Sequence, residues 1–354
     1  MLRLERSAVA IATSYNAAYD QLSAVMAEEF LDAVSDNIFQ SNLVFANSWD
    51  EAERRNEGRT LNIDLMTGKN STATAFGQND EVDSSAQTIL SVASYPWTFY
   101  VVSVPVSYQE LKISRGRNER VNLVAVLVEN GIASIADLLG NDLCNLTKGP
   151  VTANGINALG IVEACDDGTL VNLYGNILRT GAGSFVNWAG QDNRSLLASN
   201  LGTATNDMPY QLFASVYARC TQGVETPTEI YTTKGGVAAY MFAQQAQQRV
   251  APMDIANMGM SGANVFTAPV FADEHITPVL GGSGGAKVGC NFYFLNRRHT
   301  KFFYMGEKGF EFFPWVDSPN RVGKVSRYVT SLQYASDQCR ANGLIANVND
   351  VSNL

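Results

Sequence analysis

Residues 118–150, NERVNLVAVLVENGIASIADLLGNDLCNLTKGP, decide the fold. Val121, Val124, Val128, Ile132, Ile135, Leu139 and Leu143 recur at three- and four-residue steps, the spacing that gathers apolar side chains on one face of an α-helix. Asn118 offers an N-cap oxygen. Lys148, Gly149 and Pro150 supply a stop: a cation for the last turn, a residue tolerant of left-handed backbone, and a ring that cannot continue the helix. One long amphipathic helix is therefore predicted over 118–148. Gly131 and Gly140 each weaken its interior by about 1 kcal/mol relative to alanine, so a break at Gly140-Asn141-Asp142 is the competing reading.

The segment before this helix alternates. Leu61, Ile63 and Leu65 point one way and Thr60, Asn62 and Asp64 the other, as in a half-buried strand. Thr67–Ser85 is a polar tip with too few large apolar side chains to pack a core. A returning strand is predicted from Thr88 to Tyr108, where Val102, Val104, Val106 and Tyr108 alternate with Val101, Ser103, Pro105 and Ser107. An isolated hairpin is marginally stable at best, so this long excursion must rest on another part of the chain or on another subunit. Further upstream, residues 4–34 read as an alanine-rich helix. Residues 35–58 lose regular pattern, and Asp50–Arg59 reads as a charged, solvated connector.

Downstream, residues 156–180 are expected to hold a strand, an Asp-Asp-Gly turn and a second strand, followed by a glycine- and asparagine-rich tip at 181–193 that carries Trp188. Helices are predicted at 206–220 and 236–248, with a short strand at Glu229–Thr232 between them. Residues 249–300 read as strand and loop. The segments Phe292–Leu295, Phe302–Met305, Phe310–Val316 and Arg327–Ala335 have the aromatic density of a sheet core.

Composition narrows the function. The chain has 354 residues and 46% hydrophobic content, enough for sizeable cores and, as a length prior, about two domains. Charged residues are 17% and the net charge is −9, which argues against a protein whose main task is gripping phosphates. No apolar run reaches the roughly 18 residues of a membrane span, and no signal-peptide pattern opens the chain, so a cytoplasm is the expected place of folding and no membrane partner is expected. Cys144, Cys165, Cys220, Cys290 and Cys339 stand singly, without a C-x-x-C, and read as buried thiols.

Catalytic patterns are poor. Asp273-Glu274-His275 has metal-ligating residue types, but three consecutive residues cannot all face one ion on a regular element. Gly281-Gly282-Ser283-Gly284-Gly285 satisfies G-x-S-x-G, the nucleophile-elbow pattern of a serine hydrolase. That elbow needs a helix after the serine, whereas Ala286–Leu295 reads as a strand, and no Asp or Glu lies between Ser283 and His299. No P-loop is present either, since Ala286 stands where a glycine must precede Lys287. The expectation is a protein that is not an enzyme, with no catalytic residues, no cofactor and no metal.

The order of elements resembles the major capsid proteins of tailed bacteriophages, an α+β class with the Hong Kong 97-type fold. The likeness is carried by the excursion Thr60–Tyr108 with its Tyr95-Pro96-Trp97 return, the helix Asn118–Lys148, and Gly160–Arg179 ending in Leu173-Tyr174-Gly175-Asn176-Ile177. Pro227-Thr228-Glu229-Ile230-Tyr231 after a helix and the late strand Tyr293-Phe294-Leu295-Asn296 complete it. The resemblance implies an N-terminal arm at 1–58, an extended β-hairpin loop at 59–110 and a peripheral domain with a spine helix at 111–205. It further implies an axial domain at 206–304 and return strands of the peripheral domain at 305–354. About 55 residues precede the loop, too few for the large N-terminal scaffold that some members carry, which implies a separate scaffolding protein.

By the same resemblance the subunit would assemble with itself into hexamers and pentamers of an icosahedral head in the virion. It would meet a portal and a cement protein and touch packaged double-stranded DNA without sequence preference. The alternatives are an encapsulin-like nanocompartment shell, a decorating tail or cement protein, and a serine hydrolase using Ser283. Inter-subunit contact candidates are Lys69, Asn70 and Asp80 in the tip, Trp188, and Arg115, Arg117 and Arg120 near the helix start. Cations there oppose the helix macrodipole, so they call for acidic partners across an interface unless they simply form a solvated face.

Overall fold

The computed structural model describes residues 42–55, 58–78, 80–86, 88–109, 117–145, 157–181, 184–192, 210–244, 264–277, 279–280, 288–306, 309–318 and 322–349. The predicted helix at 4–34, the stop at Lys148-Gly149-Pro150, the serine motif at 281–285 and Arg115 lie outside them. The chain divides into two compact units. One takes in Phe99–Leu138 and Glu307–Thr330 and the other Ser41–Thr98, Leu139–Gly306 and Ser331–Leu354.

In the first unit a sheet is formed by β4 (Thr98–Ser107), β14 (Glu311–Asp317) and the first part of β15 (Gly323–Ser336). β14 pairs antiparallel with β15, Glu311 opposite Val329 and Asp317 opposite Lys324, with a register shift between Phe313 and Val316. β4 alternates as its sequence predicts: Val104 and Val106 are buried, while Val101, Ser103 and Pro105 are exposed. The long helix, α2 (Arg117–Cys144), meets the inner face of β4 at Gly131, where the Val102 and Val104 methyls stand 3.4 Å from the position of an added Cβ. β4 does not continue the hairpin. It pairs with β15, so the predicted single strand Thr88–Tyr108 is two strands with different partners.

The second unit is built on a seven-stranded sheet in the order β7-β16-β12-β8-β10-β9, with β11 also on β12. In chain order these are β7 (Gln191–Asp192), β8 (Glu229–Thr232), β9 (Asn264–Val265), β10 (Ala268–Ala272), β11 (Val279–Leu280), β12 (Val288–Leu295) and β16 (Gly343–Asn349). α4 (Tyr210–Cys220) and α5 (Lys234–Gln244) cover one face. Phe213 lies 4.9 Å from Phe292 and 6.2 Å from Phe294, ring to ring, and Tyr240 closes the cluster at 5.1 Å from Phe213. Tyr293 and Leu295 point the other way and are equally buried. Two short elements differ from expectation. Ile161–Cys165 is a fully buried helix, α3, rather than a strand, and β16 carried no alternation strong enough to be predicted.

α2 runs unbroken through Gly140. The glycine is there because a side chain would not fit: an added Cβ would come within 2.6–2.8 Å of the Asn42 amide and the His275 ring. Leu139 and Leu143 beside it are wholly buried, so this end of the predicted stripe is core. All five cysteines are buried thiols, none of them in a disulfide. Among the described residues no helix is long and apolar enough to cross a membrane.

Candidate functional site

A two-stranded ribbon stands apart from the larger sheets, formed by β2 (Thr60–Met66) and β3 (Leu90–Pro96) and paired from Thr60 opposite Pro96 to Met66 opposite Leu90. Its inner face is core. Leu61, Leu65, Ala93 and Tyr95 are buried with Tyr174, Trp188, Phe303 and Ala335. The outer face of the ribbon and its tip are open to solvent: Met66 is 73% exposed, with Leu90 and Val92 on the same face, and in the tip Phe76 is 74% exposed and Val82 is open as well. The tip is ordered by local bonds, with Asn70 Oδ1 accepting from the Thr72 amide at 2.9 Å and Asp83 Oδ1 from the Ser85 amide at 2.9 Å.

The foot is held by a small hairpin, β5 (Leu173–Tyr174) and β6 (Ile177–Leu178). Gly175 and Asn176 between them have φ of 56° and 63°, the two left-handed residues that a tight two-residue hairpin needs. This brings the Gly175 carbonyl to the Ser94 amide at 2.9 Å and its Cα so close to Tyr95 that a Cβ would strike the ring at 2.8 Å. Tyr95 crosses the Tyr174 ring edge-on at 5.3 Å and donates its hydroxyl to the Ser336 carbonyl at 2.8 Å. Burial pushes both tyrosine hydroxyls well above their ordinary pKa.

Beneath them Arg179 is sealed in, 4.6 Å over the Tyr174 ring, with a guanidinium nitrogen 3.9 Å from Asp166. Asp166 Oδ2 also accepts from the amides of Gly168, Leu170 and Val171 at 2.8–3.0 Å, which shapes the Asp-Asp-Gly turn. Glu163, one turn back in α3, accepts the Gly160 amide at 2.8 Å, and burial raises its pKa to about 7.

A second holding element precedes the ribbon and was not foreseen. α1 (Leu43–Trp49) is capped by Asn42, whose Oδ1 takes the Phe45 amide at 2.9 Å, while buried Asp273 takes the Val44 amide at 3.0 Å. Phe45 and Trp49 stack at 5.2 Å and both meet Phe302 edge-on. Arg297 bonds the Asn47 carbonyl and pairs with Glu229 at 3.1 Å, and Glu229 in turn bonds Tyr231. The segment Asp50–Arg59 is therefore not a solvated connector throughout. Glu53 and Arg54 form β1, parallel to β13 (Thr300–Tyr304), and Lys301 pairs with Glu53. The sequence signal was Asn42 followed by two aromatics at an i, i+4 spacing, in a helix too short for periodicity to reveal.

Of the contact candidates, Lys69, Asn70 and Asp80 stand exposed in the tip. Trp188 does not belong with them. It lies in a 3₁₀ turn, Val186–Trp188, is 1% exposed, and donates its indole N–H to the Tyr174 carbonyl at 2.8 Å, so it packs within the chain. Arg117 and Arg120 lie in the first turn of α2. Asp273, Glu274 and His275 do not converge: Asp273 bonds the His275 ring and amide, while Glu274 turns away to Lys234. Among the described residues no group of three His, Cys, Asp or Glu side chains is placed to hold a metal.

A further surface is open in the first unit. On β14 Phe312 is 53% exposed and Phe313 49%, and Val316 is also open, so this aromatic segment is not the sheet core its composition suggested. Pro314 in its middle is the signal that could have told it apart, because proline in a sheet belongs at an edge.

No family profile matches the chain. No curated protein sequence matches it. Solved structures do. The capsid asymmetric unit of cyanophage A-1(L) aligns over 92% of this chain and 98% of its own at a TM-score of 0.62 and 10% identity. The capsid of an empty GTA particle aligns over 95% and 100% at 0.55 and 10% identity. The SrpI encapsulin complex of Synechococcus elongatus aligns over 90% and 93% at 0.51 and 11% identity. The fold is the Hong Kong 97-type shell fold. That fold assigns the long helix and the extended ribbon a common architecture at a sequence identity where no tetrapeptide could.

Proposed function

We propose that the chain is the major capsid protein of a tailed phage, a structural subunit that assembles with itself into the capsomers of an icosahedral head and resides in the virion. The observation that carries the reading is the β2–β3 ribbon: one face locked into the core, and an outer face and tip with Met66, Leu90 and Phe76 exposed. Such a ribbon gains cover and backbone partners only along a neighbour. On this reading residues 59–110 are the extended loop, 111–205 the peripheral domain with its spine helix, 206–304 the axial domain and 305–354 the return strands. Lys69, Asn70, Asp80, Arg115, Arg117 and Arg120 are proposed inter-subunit contacts, a portal and a separate scaffolding protein the assembly partners, and a cement protein an outer one. Packaged DNA would touch this acidic subunit through scattered, salt-sensitive contacts.

The subunit needs no catalysis for this role. A nanocompartment shell is the second reading, because the encapsulin complex shares the fold. Negative-stain microscopy of the purified full-length protein tests the proposal: closed shells or capsomer rings are expected, and a monodisperse monomer under assembly conditions overturns it. Co-purification of a packaged enzyme in place of DNA would favour the nanocompartment.

A further inference from the structure

His299 sits in the turn before β13 with a carboxylate on each ring nitrogen: Asp337 Oδ1 at 2.8 Å from Nδ1 and Glu225 Oε2 at 2.6 Å from Nε2. The three residues come from three places. Glu225 closes the tight turn after α4, where Gln222 and Glu225 exchange backbone bonds, and Asp337 follows the end of β15. The Asp337 amide donates to the His299 carbonyl at 3.0 Å, and Gln338 bonds Gln222 beside it. The ring forms part of the wall of a cavity of about 350 Å³, lined also by Asp64 and Met66 of β2 and by Arg340. Water and protons can therefore reach it. The carboxylates oppose each other across the ring, so they cannot share one cation with it.

We propose that His299 is a proton-operated staple, which as imidazolium ties the Gln222–Glu225 turn to the corner between β13 and β15 beside strand β2, and which lets go of one side when it loses its proton. A neutral imidazole has one N–H and one lone pair, so facing two carboxylates it can donate to only one and must repel the other. The remaining charges do not replace it. Arg298 reaches only the other oxygen of Glu225, at 3.3 Å, and Arg340 bonds Asn187 at 3.4 Å. Asp64 and Arg340, which line the same cavity, carry opposite charges.

The bond to Asp337 raises the imidazole pKa above its ordinary value, and the bond to Glu225 adds to it against the opposing effect of burial. Glu225 is lowered, chiefly by the same bond. The sign follows: a histidine raised in the folded state stabilises fully below its ordinary value of about 6.5, and the contribution is lost as pH rises through the raised value. The staple is a property of one subunit and stands apart from the shell reading.

Hydrogen–deuterium exchange at the imidazole C2 position, followed by mass spectrometry of the full-length chain, gives the titration midpoint of His299 directly. A midpoint above about 6.5 is expected. In parallel, the Tm of the wild type should exceed that of His299→Gln by on the order of 2 °C at acid pH, with the gap closing toward alkaline pH. Groups that titrate elsewhere act alike in both proteins and cancel. A midpoint at or below the ordinary value, or a Tm gap that pH does not change, overturns the staple. If His299→Gln does not fold, the wild-type midpoint and its fall in Asp337→Asn decide.

Discussion

Strand β12, VGCNFYFL, and strand β14, EFFPWVD, carry similar aromatic density, yet Phe292 and Phe294 are 0% exposed in one while Phe312 and Phe313 keep about half their surface in the other. β12 lies inside its sheet, with β16 and β8 on its two sides and helix α4 over its phenylalanines. β14 is the last strand of its sheet order, and Pro314 removes a donor from it. The lesson is that aromatic content marks surface that must be covered, without saying by which chain. β12 is covered within the subunit; β14, like the outer face of the ribbon, awaits a neighbour on the shell reading.

The contrast can be broken most directly in the core. Phe292→Ala should cost about 3–5 kcal/mol, and Leu139→Asp, which buries an unpaired carboxylate, at least as much, leaving little soluble protein. Soluble, cooperatively melting variants, judged by circular dichroism and urea titration, would show that these positions are not core.

Next in size is Glu163. Its pKa of about 7 in the folded chain lies above the usual carboxylate value, so the folded state binds more protons between about pH 4.5 and 7 and stability falls as pH rises through that window. The full effect is on the order of 3 kcal/mol. Glu163→Gln should flatten that slope in denaturant midpoints measured across the window; an unchanged slope refutes the assignment.

The outward strand should behave in the opposite way to β12. Phe312→Ser with Phe313→Ser should change subunit stability by no more than about 1 kcal/mol, as surface substitutions do, and yet reduce particle yield in sedimentation. Loss of the subunit fold would place these rings in its core after all. Smallest in its effect on the fold is deletion of Gly68–Asp83: the subunit should keep its circular dichroism spectrum and stop forming closed shells. Normal shells from the deletion would remove the ribbon from the assembly.

Where periodicity was long, the sequence could be read. The stripe ending in Leu139 and Leu143 and the alternation of Leu61 and Leu65 appear where their patterns put them. Short elements fixed by distant partners could not be read so. α1 is set by Asp273 and Phe302, more than two hundred residues away in the chain, and α3 by burial on all sides. Trp188 sat in a stretch whose glycine and asparagine content suggested a solvent-facing tip, and only its bond to Tyr174 explains why it turns inward. Helix propensity alone makes Gly140 a weak point, whereas the approach of Asn42 and His275 governs it. The staple at His299 joins residues that are 74 and 38 positions apart, beyond any local pattern.

The five sealed sulfurs have a consequence for handling the protein. Burial raises the thiol pKa of Cys144, Cys165, Cys220 and Cys339, so an alkylating reagent meets neither an accessible nor an ionised sulfur while the fold is closed. The chain holds all five as thiols while the fold is closed. Its labelling rate by a thiol reagent then becomes a clock for opening, read at five positions.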